Sequence, residues 1–126
     1  MRVATPLIKA AKHRDLVALK DAICSGADLN EMDSQGWTPL FHAAGKGWAE
    51  GMNAIIEAGT NVNHGRESGF TALFSAVISG HLKAVEILLG AGAEVVDMQG
   101  TKLAGYAQGK KRTQIVAALE RAMQSK

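Results

Sequence analysis

The sequence holds a single cysteine, Cys24, so no disulfide can form within the chain. That excludes a small disulfide-stapled scaffold and suits a reducing compartment. No apolar run approaches the length of a membrane-spanning helix. The N-terminal Met1-Arg2-Val3-Ala4-Thr5-Pro6 has no long apolar stretch behind its charge and does not read as a signal peptide. An excess of one charge is missing too. There are 14 Lys and Arg against 12 Asp and Glu, a net charge of +2. That is too even to mark the whole protein as a binder of nucleic acid or anionic membrane. What remains, 47% apolar and 21% charged residues over 126 positions, is the balance of one globular domain with its own core.

Reactive constellations are equally scarce. His13, His42, His64 and His81 are not spaced as metal ligands, with each other or with Cys24. Cys24 has no candidate base nearby and is expected at a helix end in a structural role. No serine sits in a nucleophile-elbow pattern. Gly45-Lys46-Gly47 and Gly90-Ala91-Gly92 have the look of phosphate loops, but neither has a strand before it and a helix after it. No catalytic residue, metal or cofactor is therefore expected. An enzyme is the competing class of function, and no residues stand behind it.

What is present is repetition, the signal that decides a fold before any local reading. Thr5-Pro6-Leu7-Ile8-Lys9-Ala10-Ala11 aligns with Thr38-Pro39-Leu40-Phe41-His42-Ala43-Ala44 and Thr71-Ala72-Leu73-Phe74-Ser75-Ala76-Val77, each 33 residues after the last. Gly26, Gly59 and Gly92 keep the same step, and each follows an apolar pattern of helical spacing. So do the segments Gly26-Ala27-Asp28-Leu29-Asn30, Gly59-Thr60-Asn61-Val62-Asn63 and Gly92-Ala93-Glu94-Val95-Val96. Threonine is a helix N-cap, and proline in the first helical position gives up an N–H that has no partner anyway. Gly47 and Gly80 suit the end of a short helix, and a longer helix follows. One unit is then short helix, turn, longer helix and extended turn. Such a unit is too thin to bury both its faces, so stability requires a stack.

Asp33-Ser34-Gln35-Gly36-Trp37-Thr38-Pro39-Leu40, with Ala43-Ala44 and Gly47 behind it, resembles an ankyrin repeat. So does Gly69-Phe70-Thr71-Ala72-Leu73, with Gly80 through Leu89 behind it. The resemblance covers essentially the whole chain. It implies an all-α solenoid of stacked helix-turn-helix units with short hairpin-like loops. Four units are expected, at approximately 1–32, 33–65, 66–96 and 97–126, in a single domain whose first and last units act as caps. A cap at each end is the expectation for a free-standing protein.

Departures from the family pattern fall in three places. Ile8, Phe41 and Phe74 stand where the family usually has a histidine bonded to the capping threonine, so apolar packing is expected there. Arg14 stands where later units have Gly47 and Gly80, and its turn is expected to be built differently. The hairpin into the fourth unit is shorter: eight residues separate Gly92 from Gly100, against ten in the two earlier hairpins. In that register Lys102, Leu103, Ala104 and Ala107 take the places of Thr38, Pro39, Leu40 and Ala43. A last helix over about 112–124 keeps an apolar stripe of Ile115, Val116, Leu119, Ala122 and Met123, with Glu120 facing water.

The resemblance also implies a function: binding a folded protein on the hairpin tips and the exposed side of the short helices. In this chain that face carries Ser34, Gln35, Trp37, His42, Lys46, Glu67, Ser68, Phe70, Ile78, Met98, Gln99 and Tyr106. Trp37 and Phe70 share one place in consecutive units and are expected to lie side by side in an apolar strip, the composition of an interface hot spot. A free-standing inhibitor or immunity-type protein that neutralises a toxin or effector enzyme is an alternative setting. From Asp97 onward six basic residues face two acidic ones. A solvated cap is the expectation there, since aromatic residues do not interleave with the charges. The chain is expected to be a cytoplasmic monomer with a protein partner and no nucleic acid or membrane.

Overall fold

The computed structural model describes residues 5–65, 71–95, 103–107 and 109–124. Seven α-helices lie among them: α1 Pro6–His13, α2 Leu16–Cys24, α3 Pro39–Gly45, α4 Ala49–Glu57, α5 Ala72–Ser79, α6 Leu82–Gly90 and α7 Arg112–Gln124. A single 3-10 turn, Leu103–Tyr106, precedes α7. Helices α1, α3 and α5 and the 3-10 turn pack side by side as an inner layer, and α2, α4, α6 and α7 form an outer one. The fold is an all-α helical-repeat solenoid.

The same residues start each inner helix. The hydroxyls of Thr5, Thr38 and Thr71 accept the N–H groups of Ile8, Phe41 and Phe74 at 3.3, 3.2 and 3.3 Å. Each such cap contributes about 1 kcal/mol. Leu7, Leu40 and Leu73 then point into the core with 0%, 1% and 0% exposure. Burying a leucine stabilises by roughly 1.5–3 kcal/mol, so this one repeated position is a main source of cohesion. Ala10, Ala43 and Ala76 behind it are small and buried, so neighbouring inner helices approach closely. The outer layer contributes Leu19, Met52 and Val85, all at 0% exposure.

Asparagine side chains stitch consecutive units together. The Asn30 amide oxygen accepts the Thr60 hydroxyl at 3.0 Å and the Asn61 N–H at 2.9 Å. One repeat later, the Asn63 amide oxygen accepts the Glu94 N–H at 2.7 Å, and its amide nitrogen donates to the Gly92 carbonyl at 3.3 Å.

Two expectations are corrected, on Arg14 and on Cys24. The turn after α1 is not built differently: Arg14 adopts φ 54°, the left-handed conformation that Gly47 and Gly80 adopt at φ 64° and 74°. In the fourth unit Leu103, at 1% exposure, is the buried leucine, and Ala104 is only half-buried. Leu103 is buried at the place of Pro39 and Ala72, and Ala107 at the place of Ala43, but without a Thr-Pro start the inner segment makes a 3-10 turn instead of an α-helix. Cys24 is exposed at the end of α2, so it packs no core. The final helix matches its expected span, with Glu120 exposed.

Candidate partner-binding groove

The site begins at the hairpin before α3. Asp33 and Trp37 close it through the Asp33 N–H and the Trp37 carbonyl at 3.0 Å. Asp33 Oδ1 accepts the N–H groups of Gln35 at 2.9 Å and Trp37 at 3.1 Å. Its Oδ2 lies 2.8 Å from His42 Nε2 on the second turn of α3. Burial pushes the Asp33 carboxyl up, but the Trp37 N–H, the His42 imidazole and the Gln35 N–H together outweigh it and hold the group below its ordinary value. One carboxylate therefore fixes both the hairpin and its angle to the helix.

That fixed hairpin aims the Trp37 ring. It stacks on Phe41 with centroids 4.7 Å apart and planes 18° apart, and His42 meets it edge-on at 5.7 Å. Phe41 and Phe74, on neighbouring inner helices, form the floor of a groove of about 350 Å³. Gly45 and Ser75 let α3 and α5 come together beneath it. A Cβ on Gly45 would stand 2.7 Å from Ser75 Oγ, and that hydroxyl donates to the Phe41 carbonyl at 2.9 Å. Lys46, Ile78 and Ser79 line the rim. Ile78 is 39% exposed, one of three large apolar side chains so open among the described residues. Tyr106, on the 3-10 turn, sets its ring edge against Phe74 at 5.4 Å and continues the aromatic row.

Of the residues expected on the binding face, Trp37, His42, Lys46 and Ile78 meet in this groove, and Tyr106 adjoins it. His42 is largely covered, its side chain 10% exposed, because it faces Asp33 as well as the groove. Ser34 and Gln35 are exposed on the hairpin and do not line the groove. Glu67, Ser68, Phe70, Met98 and Gln99 lie outside the described residues, and with them the pairing of Trp37 and Phe70. Phe41 and Phe74 were missed as site residues. Their signal was the bulky apolar side chain at the family's histidine place, one repeat apart, read only as core packing. Among the described residues no three His, Cys, Asp or Glu side chains gather as metal ligands, and no helix is long and apolar enough to cross a membrane.

Repeating helix pairs, capped alike and stacked on one core, define a helical-repeat binding scaffold. A family model for ankyrin repeats matches residues 5–99 in three copies, and the chain belongs to the ankyrin-repeat family. A vapyrin-like protein of Medicago truncatula is 43% identical over 47 residues, which are 37% of this chain and 10% of that protein. The chain thus matches about a tenth of the length of that curated relative. Ankyrin repeats are generally protein–protein interaction modules.

Proposed function

We propose that this protein is a non-catalytic module that binds a folded protein in the groove between α3, α5 and the Asp33–Trp37 hairpin. The supporting observation is the side-by-side setting of Trp37, Phe41, Phe74 and Ile78 on one face, with polar Lys46, Ser79 and His42 around them. An apolar centre with a polar rim is the anatomy of an interface that excludes water from a few anchors. The groove is also pre-formed, because Asp33 and the α3–α5 contact fix its walls, so little ordering entropy is lost on binding.

The test is capture of a partner from the source cells, followed by affinity measurement with variants. Trp37→Ala combined with Ile78→Glu is expected to weaken binding by about 2–4 kcal/mol, the range of hot-spot truncations, with helicity unchanged. Trp37→Ala together with Phe70→Ala tests the strip first expected from the sequence. Unchanged affinity in both double variants would remove this face as the binding site.

A further inference from the structure

The carboxylates of the helices are sorted by layer, whereas the outer helices also carry the cations Lys20, Lys83, Arg112 and Arg121. Among the described residues, the inner helices α1, α3 and α5, the residues that cap them and the 3-10 turn carry no carboxylate. The outer helices carry Asp21, Glu50, Glu57, Glu86 and Glu120, all exposed. The inner layer is therefore of one sign, while the outer layer is mixed.

The repeat register shows where the inner-layer cations stand. The groove is lined by His42, Gly45 and Lys46 of α3 and by Ser75, Ile78 and Ser79 of α5, which occupy the same three places in successive units. In α1 those three places hold Lys9, Lys12 and His13, all exposed, and the exposed Arg14 follows. α1 packs directly against α3, so these cations extend the groove on its N-terminal side. The C-terminal side matches. A Cβ on Gly109 would stand 4.0 Å from Gly80 Cα, so the turn carrying the exposed Lys110 and Lys111 lies beside the end of α5. Among the described residues, carboxylates beside α1 and α3 are already engaged. Asp33 holds His42, Asp15 accepts the Ala18 N–H, and Glu31 accepts the Thr5 hydroxyl.

We propose that the groove takes an acidic segment of a protein partner, with an apolar or aromatic side chain seated between Phe41, Phe74 and Ile78 and carboxylates reaching Lys9, Lys12 and Lys46. This rests on the groove being the binding site, as proposed above, and adds the chemistry of its occupant. An apolar seat with cations of one sign on both sides complements a short run of Asp and Glu around one large apolar residue. The apolar seat favours such a peptide over a nucleic acid strand. A strand would need several open base-stacking rings and phosphate contacts, whereas Phe41 and Phe74 are 8% exposed and Trp37 is stacked on Phe41.

The experiment pans a display library of random peptides on the immobilised full-length chain, in parallel with its Ile78→Glu variant and with a Lys9→Glu, Lys12→Glu, Lys46→Glu triple variant. Circular dichroism checks that all three fold alike. The expected result is enrichment of peptides with Asp or Glu flanking Leu, Phe or Trp. The recovered peptides should lose affinity on the order of tenfold with the triple variant and weaken steeply from about 0.05 to 0.5 M salt. They should also be lost on Ile78→Glu. Neutral or basic peptides that still depend on Ile78 would leave the groove standing as the binding site and overturn its acidic occupant. Acidic peptides that ignore Ile78→Glu would overturn the seat and, with it, the groove. Absence of enrichment, or tighter binding of a fluorescent oligothymidylate than of any recovered peptide, would also overturn the proposal.

Discussion

His42 Nε2 lies 2.8 Å from Asp33 Oδ2, and this contact across nine residues ties the hairpin before α3 to that helix. Removing the carboxylate leaves three donors without their acceptor. Asp33→Ala is therefore expected to cost about 2 kcal/mol, the scale of a charge-assisted, part-buried hydrogen-bond set. The effect carries a pH signature. The folded carboxyl is held below the ordinary 3.8, so its contribution is complete above that value and is lost as pH falls through the lower folded value. Urea unfolding of the wild type and the variant should show a stability gap that is constant at neutral pH and narrows below about pH 4. A gap that stays the same into strong acid would show that the charge on Asp33 contributes nothing.

Two helical glycines should respond to alanine with opposite signs. Gly51 of α4 lies under the indole of Trp48, which is 4% exposed, and a Cβ there would fall 2.2 Å from Trp48 Cε3. Gly51→Ala must displace a buried ring, and overpacking of this kind costs about 1–3 kcal/mol despite the better helix propensity of alanine. Gly90, at the end of α6, has open space where a Cβ would go. Gly90→Ala should be neutral or stabilise by up to about 1 kcal/mol. Chemical denaturation midpoints of the two variants give the comparison, and equal shifts would contradict it.

The stack was legible in the sequence because three kinds of residue recur at one spacing and each has a local cause. Thr5, Thr38 and Thr71 cap, Leu7, Leu40 and Leu73 bury, and Gly26, Gly59 and Gly92 turn with φ of 87°, 99° and 95°. The register that aligned them also put Trp37, His42, Lys46 and Ile78 on one face. It did not reveal the groove floor, because an apolar residue at the place of Phe41 and Phe74 reads as core. Whether such a ring keeps one edge open depends on what the neighbouring helix offers, here Gly45 and Ser75. Nor did it reveal the link between Asp33 and His42, which depends on the angle between a hairpin and a helix. The 3-10 turn of the fourth unit was not legible, because the pattern of apolar places is the same for a 3-10 turn as for a short α-helix.

Arg14 is the described non-glycine residue with positive φ, at 54°. The left-handed conformation costs an L-residue with a Cβ roughly 1–2 kcal/mol, and glycine avoids this at the price of a more flexible unfolded chain. Arg14→Gly installs the residue that Gly47 and Gly80 provide in the next units. It should stabilise by about 0.5–1 kcal/mol net. Thermal unfolding is the measurement, and a lower melting temperature would mean that the exposed Arg14 side chain contributes more than its backbone strain costs. The same variant removes a cation beside the groove, so stability and partner affinity should move in opposite directions.

Asn30 and Asn63 hold equivalent places, yet their losses should appear in different parts of the stack. Asn30 Oδ1 accepts the Thr60 hydroxyl and the Asn61 N–H, joining the first unit to the second outer loop. Asn63 Oδ1 accepts the Glu94 N–H at 2.7 Å while its Nδ2 donates to the Gly92 carbonyl, joining that loop to the third. Alanine at either position removes one part-buried and one exposed hydrogen bond, at a cost of about 1–2 kcal/mol in each variant. In a stack where each unit touches only its neighbours, such a loss weakens one junction and not the whole. Hydrogen exchange should therefore locate the two effects. Asn30→Ala should release amides of α1 and α2 ahead of the rest, whereas Asn63→Ala should release α6 and the 3-10 turn. Uniform loss of protection in both variants would show instead that these few units open as one cooperative block, and that the asparagines act on the whole stack.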